Sequence, residues 1–380
     1  MAGSLDKKLF VVTFLALVFG AGIASWGNLE ADSLESYNRH SLLSGELARE
    51  LEQRFDKDFS LQQMGLNIWT AFQYKIFKEA KKGLIVGSDG WFFSDEEFIS
   101  SAEGEQALEN NIEFITQASR QLASRGVALV VVLLPSKARV LENRTGRHKP
   151  STLHSETYSR VIDSLQKKSI LTVDGLGSFQ GHLQPESLYL RTDTHWTAAG
   201  AALMAATTAE LFYKQFPQRA LSPKAFITES VGNQLLEGDL LEFLPLSPLF
   251  DQLMPEEEQI ELYQTYPLGD DFLLATNDGL FSSVSDQPEV VLLGTSFSAD
   301  RRWNFAGALK QALSADVQNI AQQGQGPIVP MADFLNDYLP NPTANNLKLV
   351  IWEIPERYLP VAYSEVSLGI DSNLISQGNL

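Results

Sequence analysis

Two short blocks, Asp193-Thr194-His195-Trp196 and Gly294-Thr295-Ser296-Phe297-Ser298, carry between them an acid, a base and a hydroxyl nucleophile. These are the side-chain types of serine-dependent acyl transfer. The imidazole takes the hydroxyl proton, and the carboxylate fixes the imidazole tautomer and stabilises its protonated form. Asp193 and His195 precede Ser296, and chain order is no obstacle, because the same constellation is assembled on unrelated folds in several orders. Residues two apart in an extended segment share a face, so the spacing predicts that Asp193 orients His195. The same block also reads as a helix cap, with Asp193 or Thr194 ahead of a helix beginning near Thr197. Ser296 is expected on a tight strand-to-helix turn, its own N–H and neighbouring amides contributing to an oxyanion hole. The alternative there is a glycine turn with a capping Ser298 or Thr295.

Other residues have weaker chemical signals. Gly326, in Gly324-Gln325-Gly326, offers a backbone donor for an oxyanion or is a plain turn; no third glycine completes a dinucleotide fingerprint. Arg301, Arg302 and Trp303 follow the serine closely and suit an anionic or sugar substrate by ion pairing and ring stacking, or else form a solvated helix start. Lys137 and Arg139, after a strand ending at Pro135, are open to the same two readings. No metal site is expected: the chain has no cysteine and five histidines, and none of the others sits at ligand spacing from His195.

The elements that must position these residues follow from periodicity. Leu42 to Lys82 reads mainly as helix, stopped by Gly83, and Leu84–Phe93 as a β-hairpin turning at Asp89-Gly90. Helices are predicted over Glu105–Arg125, Glu156–Lys168, Ala198–Phe216 and Asn304–Leu313. Strands are predicted at Val127–Leu134, Ile170–Val173, Glu289–Leu293 and Leu347–Ile354. Strands alternating with helices indicate an α/β fold, a parallel sheet flanked by helices, with active residues beyond the carboxyl ends of strands. Both blocks are expected at such ends. The stretch of about 217–286, with Pro245, Pro248, Pro255 and Pro267 and the run Glu256-Glu257-Glu258, reads as an irregular insertion in one catalytic domain covering 42–380.

At the N-terminus, Lys7-Lys8 precede an uncharged apolar run, Leu9–Trp26, long enough to cross a bilayer as a helix. The lysines place the N-terminus in the cytoplasm and the rest of the chain across the membrane. Residues 1–27 are thus an anchor in the inner membrane, or a signal peptide cleaved near Gly22-Ile23-Ala24, and 28–41 a polar linker to a periplasmic domain. The net charge of −18 opposes nonspecific binding to nucleic acid.

Several blocks together resemble the AlgJ/AlgX family of SGNH-hydrolase-like proteins, which O-acetylate bacterial exopolysaccharides such as alginate. They are Gly87–Phe93, Leu134-Pro135-Ser136-Lys137, Arg191–Trp196 with Gly200, Gly238-Asp239-Leu240, Gly294–Ser298 and Glu353–Leu359. The resemblance spans roughly Leu42 to Leu359. It implies an SGNH-like sheet with rearranged motif order, the Asp-x-His pair before the serine, and Asp193, His195 and Ser296 as the triad. It also implies transfer of acetyl through an acetyl-serine to an exopolysaccharide acceptor, no cofactor, and a membrane-bound O-acyltransferase partner as acetyl donor. The N-terminal anchor and a chain ending at Leu380 are similar to the AlgJ type, whereas AlgX-like members add a C-terminal carbohydrate-binding module. A polysaccharide acetylesterase with the same triad and a non-catalytic envelope assembly subunit remain as alternatives.

Overall fold

The computed structural model describes residues 60–268 and 287–363, together with Gly20. The expected anchor, the linker and the helical reading before residue 60 lie outside these residues. No described helix is long and apolar enough to cross a membrane.

The described chain divides into two compact units, 60–81 with 244–254 and 82–243 with 255–363. In the first, helix α1 (Ser60–Phe72) widens into a π-helical turn, Gln73–Phe77. It ends at Lys78 (φ 56°), whose N–H returns to Gln73 O, so this helix stops short of the expected Lys82. Asn67 Nδ2 donates to Pro245 O at 2.7 Å, joining the unit's two segments.

The second unit is built on strands β1 (Leu84–Val86), β2 (Phe92–Ser94), β3 (Ala128–Leu134), β4 (Leu171–Asp174), β5 (Phe226–Leu236), β6 (Glu258–Pro267), β7 (Val290–Leu293), β8 (Gln318–Asn319) and β9 (Leu349–Pro355). Five of them form one parallel sheet in the order β4-β3-β9-β7-β8. Its helices are α2 (Gly104–Ser124), α3 (Lys137–Val140), α4 (Thr152–Lys167), α5 (Gly175–Gln180), α6 (Ala198–Gln215), α7 (Ser296–Ala299), α8 (Phe305–Leu313) and α9 (Ile328–Asp333).

The period of two along each strand explains the layers. Val130, Val132, Leu292 and Ile351 face one side, in one core cluster with Met204, Ala205 and Phe212 of α6 and Leu309 of α8. Val131, Leu133, Val291 and Trp352 face the other, clustered with Ile115 of α2, Val161 of α4 and Met331 of α9. A sheet covered on both faces needs strands apolar at every position, and β3, β7 and β9 are buried throughout.

Two regions differ from the expectation. The stretch read as irregular holds a long antiparallel ribbon, β5 paired with β6 from Phe226↔Pro267 to Leu236↔Glu258, with a bulge between Ser230 and Gly232. Most of β5 is solvent-exposed, so no apolar alternation marks it. The Asp-x-His block does not follow a sheet strand. It lies in a bent loop entering α6, closed by the isolated bridge Tyr189↔Trp196, and the helix cap is Thr197, which accepts from Gly200 N–H.

Ile351, on the central strand and wholly buried, is a direct measure of the core. Ile351→Ala should lower unfolding free energy by about 2–5 kcal/mol, from lost transfer energy and a residual cavity. Urea denaturation reads this, and a loss below about 1 kcal/mol would show the sheet able to collapse around the gap.

Candidate active site

Ser296 begins α7 immediately beyond the carboxyl end of β7. Thr295 is the N-cap and accepts from Phe297 N–H at 3.3 Å. As the first residue of the helix, Ser296 has an N–H without an intrahelical acceptor. Beneath this turn lies Glu353 of β9, with no exposed surface. Its carboxylate accepts from Thr295 N–H at 2.8 Å, from Thr295 Oγ1 at 3.1 Å and from Ser298 Oγ at 3.0 Å. Gly294 makes room for it, since a Cβ there would stand 2.4 Å from Glu353 Oε2. Burial pushes the Glu353 carboxyl up to about 7, although the Thr295 and Ser298 hydrogen bonds pull it down.

The structure brings His195 between Asp193 and Ser296. Its Nδ1 lies 2.7 Å from Asp193 Oδ1 and its Nε2 2.7 Å from Ser296 Oγ. The pairing of Asp193 with His195 is a turn rather than an extended strand. Asp193 Oδ1 also accepts His195 N–H at 2.8 Å, an Asx turn that folds the imidazole back over its own backbone. Burial opposes the Asp193 charge, but hydrogen bonds from the His195 ring and N–H and from Asp239 N–H outweigh it and hold the carboxyl below its ordinary value. Trp303 stacks on the imidazole, centroids 5.4 Å apart at 24°, and Phe297 packs against it at 4.7 Å. Such an imidazole, bonded to a carboxylate on one side and a hydroxyl on the other, can take the serine proton and return it.

Three groups pin the loop that carries the pair. Lys137, 1 % exposed, donates its ammonium to the carbonyls of Phe92, Arg191 and Asp193, between the rings of Trp91 and Phe93 at 5.3 and 5.2 Å. Burial pulls its ammonium down to about 8, against Glu97, Glu258, Asp193 and Asp239. Glu258, at the base of the ribbon, accepts from Arg191 N–H (2.8 Å) and Thr192 N–H (2.6 Å). Asp239 accepts from Thr194 N–H at 2.7 Å.

The remaining candidates are placed differently from their substrate readings. Lys137 is a buried clamp, and Arg139 bonds Glu356 at 2.9 Å, so neither is free to meet a substrate. Trp303 is 1 % exposed and stacks on His195. Arg302 chelates Asp300, with Nε 2.9 Å from Oδ2, and lies over Trp303 at 4.9 Å; Arg301 is exposed. Gly326 (φ 65°) is a turn glycine against the Tyr363 ring, and no hydrogen bond among the described residues brings it to Ser296. Trp303 and Arg302 wall a groove of about 580 Å³ together with Trp91, Arg191, Glu258 and Tyr263, which Ser296 and His195 do not line. Side-chain atoms of Asp193, His195 and Asp239 lie within 4.8 Å of one another, close enough to share a cation, but those atoms are engaged in the hydrogen bonds of the Asp–His pair. Asp239, Glu258 and Glu353 had no assigned role in the sequence, because their partners lie 45, 66 and 58 positions away.

Two outcomes follow from these buried charges. Lys137→Met fills the volume but leaves three carbonyls without a donor, so denaturation should show a loss of about 3 kcal/mol or more; a neutral effect would remove the clamp. The raised Glu353 carboxyl binds its proton more tightly folded than unfolded, so stability falls as pH rises from its ordinary value of 4.5 through about 7. The unfolding free energy of the native chain relative to Glu353→Gln should therefore drop by roughly 3 kcal/mol between pH 4.5 and 7.5. A difference independent of pH would mean that Glu353 titrates normally.

Comparison with known proteins agrees with this geometry. Residues 84–356 match the family described as ALGX, SGNH hydrolase-like domain, acetyltransferase AlgX. A Pseudomonas aeruginosa protein described as probable alginate O-acetylase AlgJ is 38 % identical over 373 residues, 95 % of this chain and 92 % of the relative. The same description attaches to an Azotobacter vinelandii protein, 37 % identical over 362 residues, 93 % of this chain and 88 % of the relative. Among solved structures, the O-acetyltransferase domain of Pseudomonas putida AlgJ superposes with a TM-score of 0.67 at 35 % identity, over 78 % of this chain and 98 % of that domain. With a parallel sheet flanked by helices and a serine turn at a strand end, the chain belongs to the SGNH hydrolase-like acetyltransferase family of AlgJ and AlgX.

Proposed function

We propose that the protein is an O-acetyltransferase that moves acetyl, through an acetyl-Ser296 intermediate, to hydroxyls of an alginate-type exopolysaccharide. The observation that carries this is the imidazole of His195 at 2.7 Å from both Asp193 Oδ1 and Ser296 Oγ. His195 Nε2 takes the Ser296 proton as Oγ attacks the donor carbonyl, and passes it to the leaving group as the donor bond breaks. A sugar hydroxyl then attacks the acetyl-serine, giving its proton to Nε2, and Ser296 regains it as the ester bond to the enzyme breaks. Asp193 holds the tautomer and stabilises the imidazolium, and Ser296 N–H contributes to the oxyanion hole.

The substrate class is supported by the names of the relatives, which are alginate O-acetylases at 38 and 37 % identity. The acceptor is accordingly a polysaccharide of the envelope, and the donor is an acetyl carrier delivered by a membrane-bound O-acyltransferase. Lys7-Lys8 followed by Leu9–Trp26 supports a periplasmic domain tethered to the inner membrane.

Ser296→Ala should reduce turnover of a small chromogenic acetate ester by about three orders of magnitude or more, and the native enzyme should show an acetyl mass adduct on Ser296. With donor and mannuronate oligosaccharide both present, acetylated oligosaccharide should exceed free acetate. Near-native activity in Ser296→Ala removes the nucleophile; free acetate as the sole product makes the enzyme an esterase.

A further inference from the structure

The Gly238-Asp239 pair is interlocked with the loop that carries the catalytic base, and the mechanism above does not use it. Gly238 has no room for a side chain: a Cβ would stand 2.2 Å from Thr192 O. This close approach sets Asp239 directly against the Asp193–His195 turn. Its main-chain N–H donates to Asp193 Oδ2 at 3.1 Å, the oxygen that His195 leaves unused. Its carboxylate accepts from Thr194 N–H at 2.7 Å and from Thr194 Oγ1 at 2.5 Å. The same Oδ2 that meets the Thr194 hydroxyl lies 3.6 Å from His195 Nδ1. The Nδ1 side of the imidazole thus faces two carboxylates from distant parts of the chain, one buried and one 41 % exposed.

We infer that Asp239 is a positioning residue for the acetyl transfer, a second carboxylate that holds the Asp193–His195 turn and stabilises the positive imidazole formed when His195 takes the Ser296 proton. The Nδ1 proton stays in its bond to Asp193, and no bond to Asp239 is made or broken. A negative charge at 3.6 Å acts on Nδ1 through space whether or not it shares the proton. The half-exposed position weakens this charge by solvent screening. The inference rests on the triad described above.

The other charged groups around the imidazole come from several elements. Asp300, paired with Arg302 behind Trp303, acts on it from the turn after α7. Glu353 acts from β9 beneath Thr295. Arg357 lies over the Phe297 ring at 5.6 Å, and Lys137 meets it through the Asp193 carbonyl at 3.0 Å. Asp239 itself acts on Lys137 and Arg302, so part of the effect of replacing it reaches the imidazole through them.

The test is the pH profile of kcat/KM for acetate-ester turnover by the full chain. Asp239→Asn keeps an acceptor for Thr194 N–H and removes the charge. Its acidic limb should move to lower pH by about half a unit to one unit, with a fall of about 5- to 30-fold on the plateau and little change in KM. Asp239→Glu, which restores the charge, should return the limb toward its native position. Thr194→Val, which removes the Thr194 Oγ1 contacts to Asp239 Oδ2 at 2.5 Å and His195 Nδ1 at 3.4 Å and leaves the carboxylate in place, should lower the plateau and move the limb less than Asp239→Asn. A limb that stays fixed in Asp239→Asn, or a variant that does not fold, makes Asp239 a structural cap and overturns its electrostatic role. If Ser296→Ala is inactive while Asp239→Asn overlays the native profile, the triad stands and this inference alone falls; if Ser296→Ala is active, the triad itself falls.

Discussion

The structure depends on one contact, the hydrogen bond between His195 Nε2 and Ser296 Oγ across 101 positions of chain. Neither end can make it alone. Ser296 is fixed by β7, whose side chains are buried throughout, and by the Glu353 carboxylate that holds the Thr295 turn from below. His195 sits in a loop outside the main sheet, closed by a single bridge in which Leu190 N–H donates to His195 O at 3.1 Å, so the rest of its positioning must be imposed by other segments. Hydrogen bonds of this kind contribute little individually in water, but a misplacement of about 1 Å at a reacting pair is costly to rate.

That imposition explains why charged side chains, Lys137 buried and Glu258 half-buried, gather around the loop. Lys137 ties together three carbonyls from two segments, the β1–β2 hairpin and the catalytic loop. Glu258 does the converse, gathering the N–H groups of Arg191 and Thr192. Each charge is nearly saturated by fixed dipoles or hydroxyls, the condition under which a buried ion is tolerated. The loop is thus held by donors and acceptors from β2, α3, the Asp239 turn and the ribbon, and its rigidity is a tertiary property.

Aromatic packing completes the arrangement. Trp303 and Phe297 both follow Ser296 closely in sequence and both lie against the His195 ring, so the segment that carries Ser296 also supplies the wall that orients the imidazole. Trp196, the residue after His195, donates its indole N–H to Phe297 O at 3.2 Å. The two catalytic blocks therefore hold each other by neighbours on both sides.

Much of this was legible in the chain itself. The buried strands Val130–Leu134 and Val290–Leu293 are near-continuous apolar runs, which only a sheet covered on both faces requires, and the Asp-x-His and Gly-x-Ser blocks carry side chains of one chemistry. The ribbon was not legible, because an exposed antiparallel pair needs no apolar alternation. Nor were the clamp of Lys137 and the support from Asp239, Glu258 and Glu353, because a charge in the sequence carries no sign of whether it will meet solvent or a carbonyl from a segment 56 positions away. The sequence by itself determined the α/β class through periodicity, pointed to the family through its motif blocks, and offered Asp193, His195 and Ser296 as the candidate acid, base and hydroxyl through residue type. Only the tertiary structure decided that Trp303 and Lys137 face inward, that Asp193 reaches His195 through a turn, and that a second carboxylate stands beside the imidazole. Those outcomes depend on which distant backbone groups require a partner once water is excluded.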